Sequence, residues 1–97
     1  MPAAYLIAQI EVKDPARYEA YRVDVPAAIA AYDGEIIVRG GAVESLEGEA
    51  PPGRVVVLRF PSMERARAFY HSDEYADLLA LCLAVTESRL FIVEGAD

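Results

Sequence analysis

Apolar residues in this chain recur first with a period of two, then of about 3.6, and that alternation of periods passes twice along the sequence. Residues 4–12 (Ala-Tyr-Leu-Ile-Ala-Gln-Ile-Glu-Val) alternate as a strand does. Leu6, Ala8, Ile10 and Val12 share one side; Tyr5, Ile7, Gln9 and Glu11 share the other. Asp14-Pro15 then marks a helix start, Asp as N-cap and Pro at the first helical position. Tyr18, Tyr21, Val25, Ala28, Ile29 and Tyr32 follow on one stripe. Pro26 lacks an amide hydrogen and clashes one turn back, which predicts a bend or break near Asp24 and Val25. Asp33-Gly34 closes the element, with Gly34 expected in the left-handed cap position.

Glu35 to Arg39 reads as strand, expected to resume over Ala42 to Leu46 after the pair Gly40-Gly41. An acidic Pro-Gly loop (47–53) separates it from a strand at Arg54 to Phe60, where Val56, Leu58 and Phe60 oppose Val55, Val57 and Arg59. Ser62 caps a helix through about Tyr70, and Ser72 caps another carrying Tyr75, Leu78, Leu79 and Cys82 on one stripe. Thr86 to Glu94 is the last strand, Leu90 and Ile92 facing away from Arg89, Phe91 and Val93. The order β-α-β-β-α-β is the split pattern of a ferredoxin-like α+β fold: one four-stranded antiparallel sheet with its helices on one face. At 97 residues the chain is expected to be a single domain over 1–97.

Two crossovers cover one side of such a sheet. The apolar fraction is 55%, above the roughly 45–50% of ordinary domains. Tyr5, Ile7, Val55, Val57, Phe91 and Val93 occupy the uncovered side, an apolar patch that calls for a partner. The expectation is a homodimer, sheet against sheet across a two-fold axis, closing an α/β barrel.

Sixteen acids against nine Lys and Arg give a net charge of −7, which disfavours nucleic acid and anionic membrane surfaces as partners. Cys82 is the only cysteine and His71 the only histidine, so no disulfide, metal site or other cofactor is implied. The N-terminus has neither the basic start nor the apolar run of a secretory signal, and the expected location is cytoplasmic.

Candidate chemistry lies in polar residues set among the strands. Gly40-Gly41 does not lead into a helix, so a phosphate cradle is rejected in favour of a bulge that re-aims Arg39. Arg39 either turns inward to hold a carboxylate or enolate oxygen, or pairs with Glu11, Glu44 or Glu94, or stands as a solvated residue at the rim. Gln9, Arg59 and Arg89 fall on the second face by parity and are the other candidate anchors for a small-molecule ligand. For proton transfer the candidates are His71, Tyr18 and Tyr70.

Four ordered stretches, A-Y-L-I-A-Q-I-E-V-K-D-P-A-R-Y-E-A-Y, V-R-G-G-A-V-E, V-V-V-L-R-F-P-S-M-E-R-A-R-A-F-Y-H-S-D-E-Y and S-R-L-F-I-V-E-G, resemble the small bacterial proteins called domain of unknown function 1330. The resemblance spans residues 4–95 and implies the dimeric α/β-barrel superfamily of ferredoxin-like subunits. That superfamily holds cofactor-free monooxygenases, haem-dependent enzymes, isomerases and small-molecule sensors. No catalytic residue carries over, because the family has no established activity. His71 departs from the small acid or amide common in relatives. Cys82-Leu83 replaces basic residues, implying a less anionic ligand. Two readings follow: a pocket that binds or converts a small oxygenated metabolite, or a non-enzymatic dimeric sensor or interaction module with a closed internal ion-pair network.

Overall fold

Side-chain oxygens cap three helices where the sequence marks them. In the computed structural model, which describes residues 2–96, Asp14 accepts from the Arg17 amide at the start of α1 (Pro15–Ala30). Ser62 accepts from the Arg65 amide at α2 (Met63–Tyr70), and Ser72 from the Tyr75 amide at α3 (Asp73–Val85). Each bond satisfies one of the orphan amides of a first helical turn. The strands are β1 (Ala4–Val12), β2 (Glu35–Arg39), β3 (Arg54–Phe60) and β4 (Thr86–Glu94). They form one antiparallel sheet in the order β2-β3-β1-β4, so the fold is the ferredoxin-like α+β arrangement.

All three helices lie over one side of that sheet. Leu6, Ala8, Ile10, Leu58 and Phe60 point into them and are buried, as are Tyr18, Tyr21, Val25, Ala28 and Ile29 from α1. Phe69 bridges the layers, its ring 5.4 Å from Phe60 and 4.5 Å from Tyr75. Full burial of one such aromatic stabilises the fold by about 1.5–3 kcal/mol.

Four details differ from the sequence reading. Helix α1 runs unbroken through Pro26. That residue is exposed, so water can reach the Arg22 carbonyl that the proline leaves without a donor, and the apolar stripe on the far side holds the helix together. The left-handed position after α1 belongs to Asp33 (φ 63°), not Gly34. Asp tolerates that conformation better than most residues. Gly34 is required for space: a Cβ there would stand 2.6 Å from Phe60 Cε1 and 2.7 Å from Ile29 Cγ2.

Strand β2 does not resume after the glycines, because Ala42–Leu46 is exposed and has no partner strand. The Gly40 amide makes the last bond, to the Val55 carbonyl at 2.9 Å, and β3 begins at Arg54, leaving nothing further to pair with. The fourth difference concerns the bulge. It sits at Ile37, between the pairs Ile36–Leu58 and Val38–Val57, and not at Gly40-Gly41. Gly40, at φ 66°, ends the strand in a conformation that glycine adopts freely.

Replacing Gly34 by Ala should cost about 1–3 kcal/mol in urea unfolding, since neither Phe60 nor Ile29 can withdraw from a packed core. A change under about 0.5 kcal/mol would show that the close approach is unimportant.

Candidate functional site

One row of facing residues crosses the whole sheet: Arg39 on β2 opposite Val56, Val56 opposite Ala8, and Ala8 opposite Leu90. With unbroken pairing from Ile36, Arg39 would stand opposite Val55 and face away from the helices. The extra residue at Ile37 reverses that, and Arg39 joins the helix-facing side.

Ala8 fills little of the central position, and the space above it is a cavity of about 80 Å³ between the sheet and helices α1 and α3. Its walls are apolar, with Val25, Val56, Leu58 and Leu90 among them. Arg22, Arg39 and Arg54 line its polar side; Arg22 and Arg39 are exposed and Arg54 is half-buried.

The three arginines are not equivalent. Glu19 neutralises Arg22 through a contact of 2.7 Å. Arg54 lies over the Tyr18 ring, 5.6 Å from its centroid, close enough for cation–π attraction. Among the described residues no carboxylate forms an ion pair with Arg39 or Arg54. Glu11 is held by Lys13 at 2.8 Å instead.

Deeper in, the hydroxyls of Tyr21 and Tyr75 are 2.9 Å apart and buried. Burial raises both phenols above their ordinary range, Tyr75 up to about 12 and Tyr21 further, with the neighbouring hydroxyl adding to the rise at Tyr21. Both therefore stay protonated. Two hydroxyls sharing one hydrogen bond keep one hydrogen to donate elsewhere. Burial also raises Tyr18, against the pull of the Arg54 charge. The Cys82 thiol, likewise raised by burial, sits on the cavity wall as a small apolar group, whereas Leu83 faces solvent.

Of the residues singled out in sequence, Arg39 and Tyr18 meet at this cavity. Gln9, Arg59 and Arg89 lie on the opposite side of the sheet: Gln9 stands across from Arg89, and Arg59 is bound to Glu35 at 3.0 Å. Tyr70 lines a separate open groove of about 390 Å³ between α2 and β4. His71 caps α2 in an exposed position, its ring edge-on to Tyr70 with centroids 5.3 Å apart. Among the described residues no group of three or more His, Cys, Asp or Glu is arranged to hold a metal, and no helix is long and apolar enough to cross a membrane.

Sequence reasoning passed over Arg54 and paired Tyr21 with Tyr18 and Tyr75 with Tyr70, not Tyr21 with Tyr75. Parity carried a signal for the first: residues 54, 56, 58 and 60 share the apolar side of β3, and only Arg54 is charged. Nothing in the sequence brings Tyr21 to Tyr75, which are joined only by the packing of α1 on α3.

These features define a ferredoxin-like fold with an apolar cavity between sheet and helices and arginines at its edge. The chain belongs to the family named for the domain of unknown function DUF1330, which matches residues 3–96. No curated protein matches it in sequence. Among solved structures it is similar to a protein of unknown function from Rhodopseudomonas palustris, at 14% identity and a TM-score of 0.78, covering 99% of this chain and 84% of that one. It is similar to SnoaB, a cofactor-independent oxygenase from Streptomyces nogalater, at 13% identity and a TM-score of 0.64, covering 100% and 96%. A third neighbour is a dimeric protein of unknown function and ferredoxin-like fold from Bacteroides fragilis, at 10% identity and a TM-score of 0.56, covering 95% of each chain. Identities this low establish a shared fold.

The raised phenols make stability pH-dependent in a defined window. Unfolding frees Tyr75 to ionise near pH 10, but the folded chain holds its proton to about 12. This contribution is therefore constant below pH 10 and declines by about 1.4 kcal/mol per pH unit as pH rises towards 12, with Tyr21 adding in the same direction. Denaturant midpoints from pH 8 to 12 measure it. Tyr21→Phe, which strands the Tyr75 hydroxyl, should cost about 1–3 kcal/mol at pH 7; an unchanged midpoint would contradict the bond.

Proposed function

We propose that each subunit binds, and in an enzymatic role converts, a small monoanionic ligand with an apolar body and a carboxylate or enolate head. The observation that carries this reading is the pair Arg39 and Arg54. Neither is in an ion pair among the described residues, and both line an apolar cavity in a chain of net charge −7. Guanidinium groups hold planar anions through paired, charge-assisted hydrogen bonds. The remaining hydrogen of the Tyr21–Tyr75 pair is a protonated donor for a second ligand oxygen, suited to charge that develops there during enolisation. The enclosed volume of about 80 Å³ is roughly half the 150 Å³ that admits benzene, which limits the buried part to a few heavy atoms. Likeness in fold to a cofactor-independent oxygenase supports chemistry performed on the bound molecule without a tightly held prosthetic group.

The other side of the sheet supports a homodimer. Phe91 and Val93 are each 45% exposed, and Val38 joins them on that side, opposite Val57. A dimeric neighbour shares the fold. We assign Gln9, Arg59 and Arg89 to this seam, where the Arg59–Glu35 pair would set the register between subunits. That already closed pair also favours the second reading, an interaction module, for this face alone.

Isothermal titration with small carboxylates separates the two faces. Arg39→Ala and Arg54→Ala should each weaken binding about tenfold or more, and Arg59→Ala should leave it unchanged. Loss of binding in Arg59→Ala with Arg39→Ala unaffected would move the site to the seam. Light scattering at micromolar concentration should return twice the chain mass; a monomer mass would refute the dimer.

A further inference from the structure

The cavity and the open groove are neighbours with a common wall. Leu6 and Leu90 line both. Leu6 lies on the central strand β1, between β3 and β4, and is 3% exposed. Leu90 lies on β4, an edge of the sheet, and is half-buried. An edge side chain with open space beside it can change rotamer where a central one cannot. We propose that Leu90 is a gate, and that the cavity and groove form one slot for a straight-chain carboxylic acid.

This rests on the carboxylate reading above and deepens it. The head is held by Arg39 and Arg54, and the chain runs along the row over Val56 and Ala8 towards Leu90. From Arg39 to Leu90 that row spans three strand spacings, roughly 14 Å. Past the gate lies a groove of about 390 Å³ beneath α2, lined by Met63, Tyr70, Phe91 and Ile92, with the charged Arg67 beside them. The small residue at the centre of the row has a use on this account: a larger side chain at Ala8 would block the passage of a chain. With Leu90 as it stands, only a short acid fits; with Leu90 turned aside, a long one does. Ligand length is therefore read at Leu90 and charge at the arginines.

The test is titration of the intact chain with butanoate and with decanoate. Leu90→Trp should weaken decanoate about tenfold or more relative to butanoate, and Leu90→Ala should strengthen decanoate about fivefold relative to butanoate. Equal responses of the two acids to both replacements would overturn the gate. Methyl resonances of the unmutated chain give a readout that no folding defect disturbs. The Met63 methyl lies in the groove only, so it should shift with decanoate and not with butanoate. A Met63 signal indifferent to bound decanoate would also overturn it. If butanoate binds under control of Arg39 while both gate tests fail, the carboxylate reading stands and the gate falls. If neither acid binds, both fall.

Discussion

A one-residue slip in the pairing of β2 with β3 decides which side of the sheet the last residues of β2 face. Before the slip, Ile36 packs towards the helices opposite Leu58; after it, Val38 faces outward and Arg39 faces in. An arginine on the helix-facing side of a ferredoxin-like sheet would be costly in the middle of the core. At the end of an edge strand it stays exposed while its side chain reaches the cavity. The bulge is thus the device that puts a positive charge beside an apolar hole without burying it.

The opposite requirement, a fixed inner end, is met by aromatic packing. Phe60 from the sheet, Phe69 from α2 and Tyr75 from α3 stack in sequence, and Tyr21 from α1 meets Tyr75 edge-on with centroids 6.4 Å apart. Every helix is tied to the sheet through this cluster, and the Tyr21–Tyr75 hydroxyls are carried on its rim. Stiff neighbours hold both hydroxyls still, as the proposed donor role requires. The charge on the molecule as a whole is negative, and Arg39 and Arg54, in no ion pair among the described residues, place positive charge at the cavity edge.

Much of this was legible in the amino-acid order. Alternation placed Leu6, Ala8 and Ile10 inward, the 3.6-residue stripe placed Tyr18, Tyr21 and Val25 against them, and Asp14, Ser62 and Ser72 announced their helices. What the order hid were facts of register and of tertiary contact. Gly40-Gly41 looked like the bulge, because glycine is the visible signal for one, yet the irregularity fell on Ile37, whose side chain advertises plain strand. Sequence reasoning grouped Arg39 with Gln9, Arg59 and Arg89 as ligand anchors, and the slip separates it from them. The Tyr21–Tyr75 contact joins residues 54 positions apart and is set by how α1 lies on α3, which no local pattern encodes.

The direction of Arg39 is therefore the point on which the account turns. A crystal structure of the protein with a small carboxylate such as butanoate tests it directly. The account predicts the carboxylate between Arg39 and Arg54, its oxygens about 2.7–2.9 Å from guanidinium nitrogens, with the chain over Ala8 on the helix side of the sheet. A ligand seated on the outer side among Gln9, Arg59 and Arg89, or an Arg39 paired across from Val55 and turned outward, would contradict it.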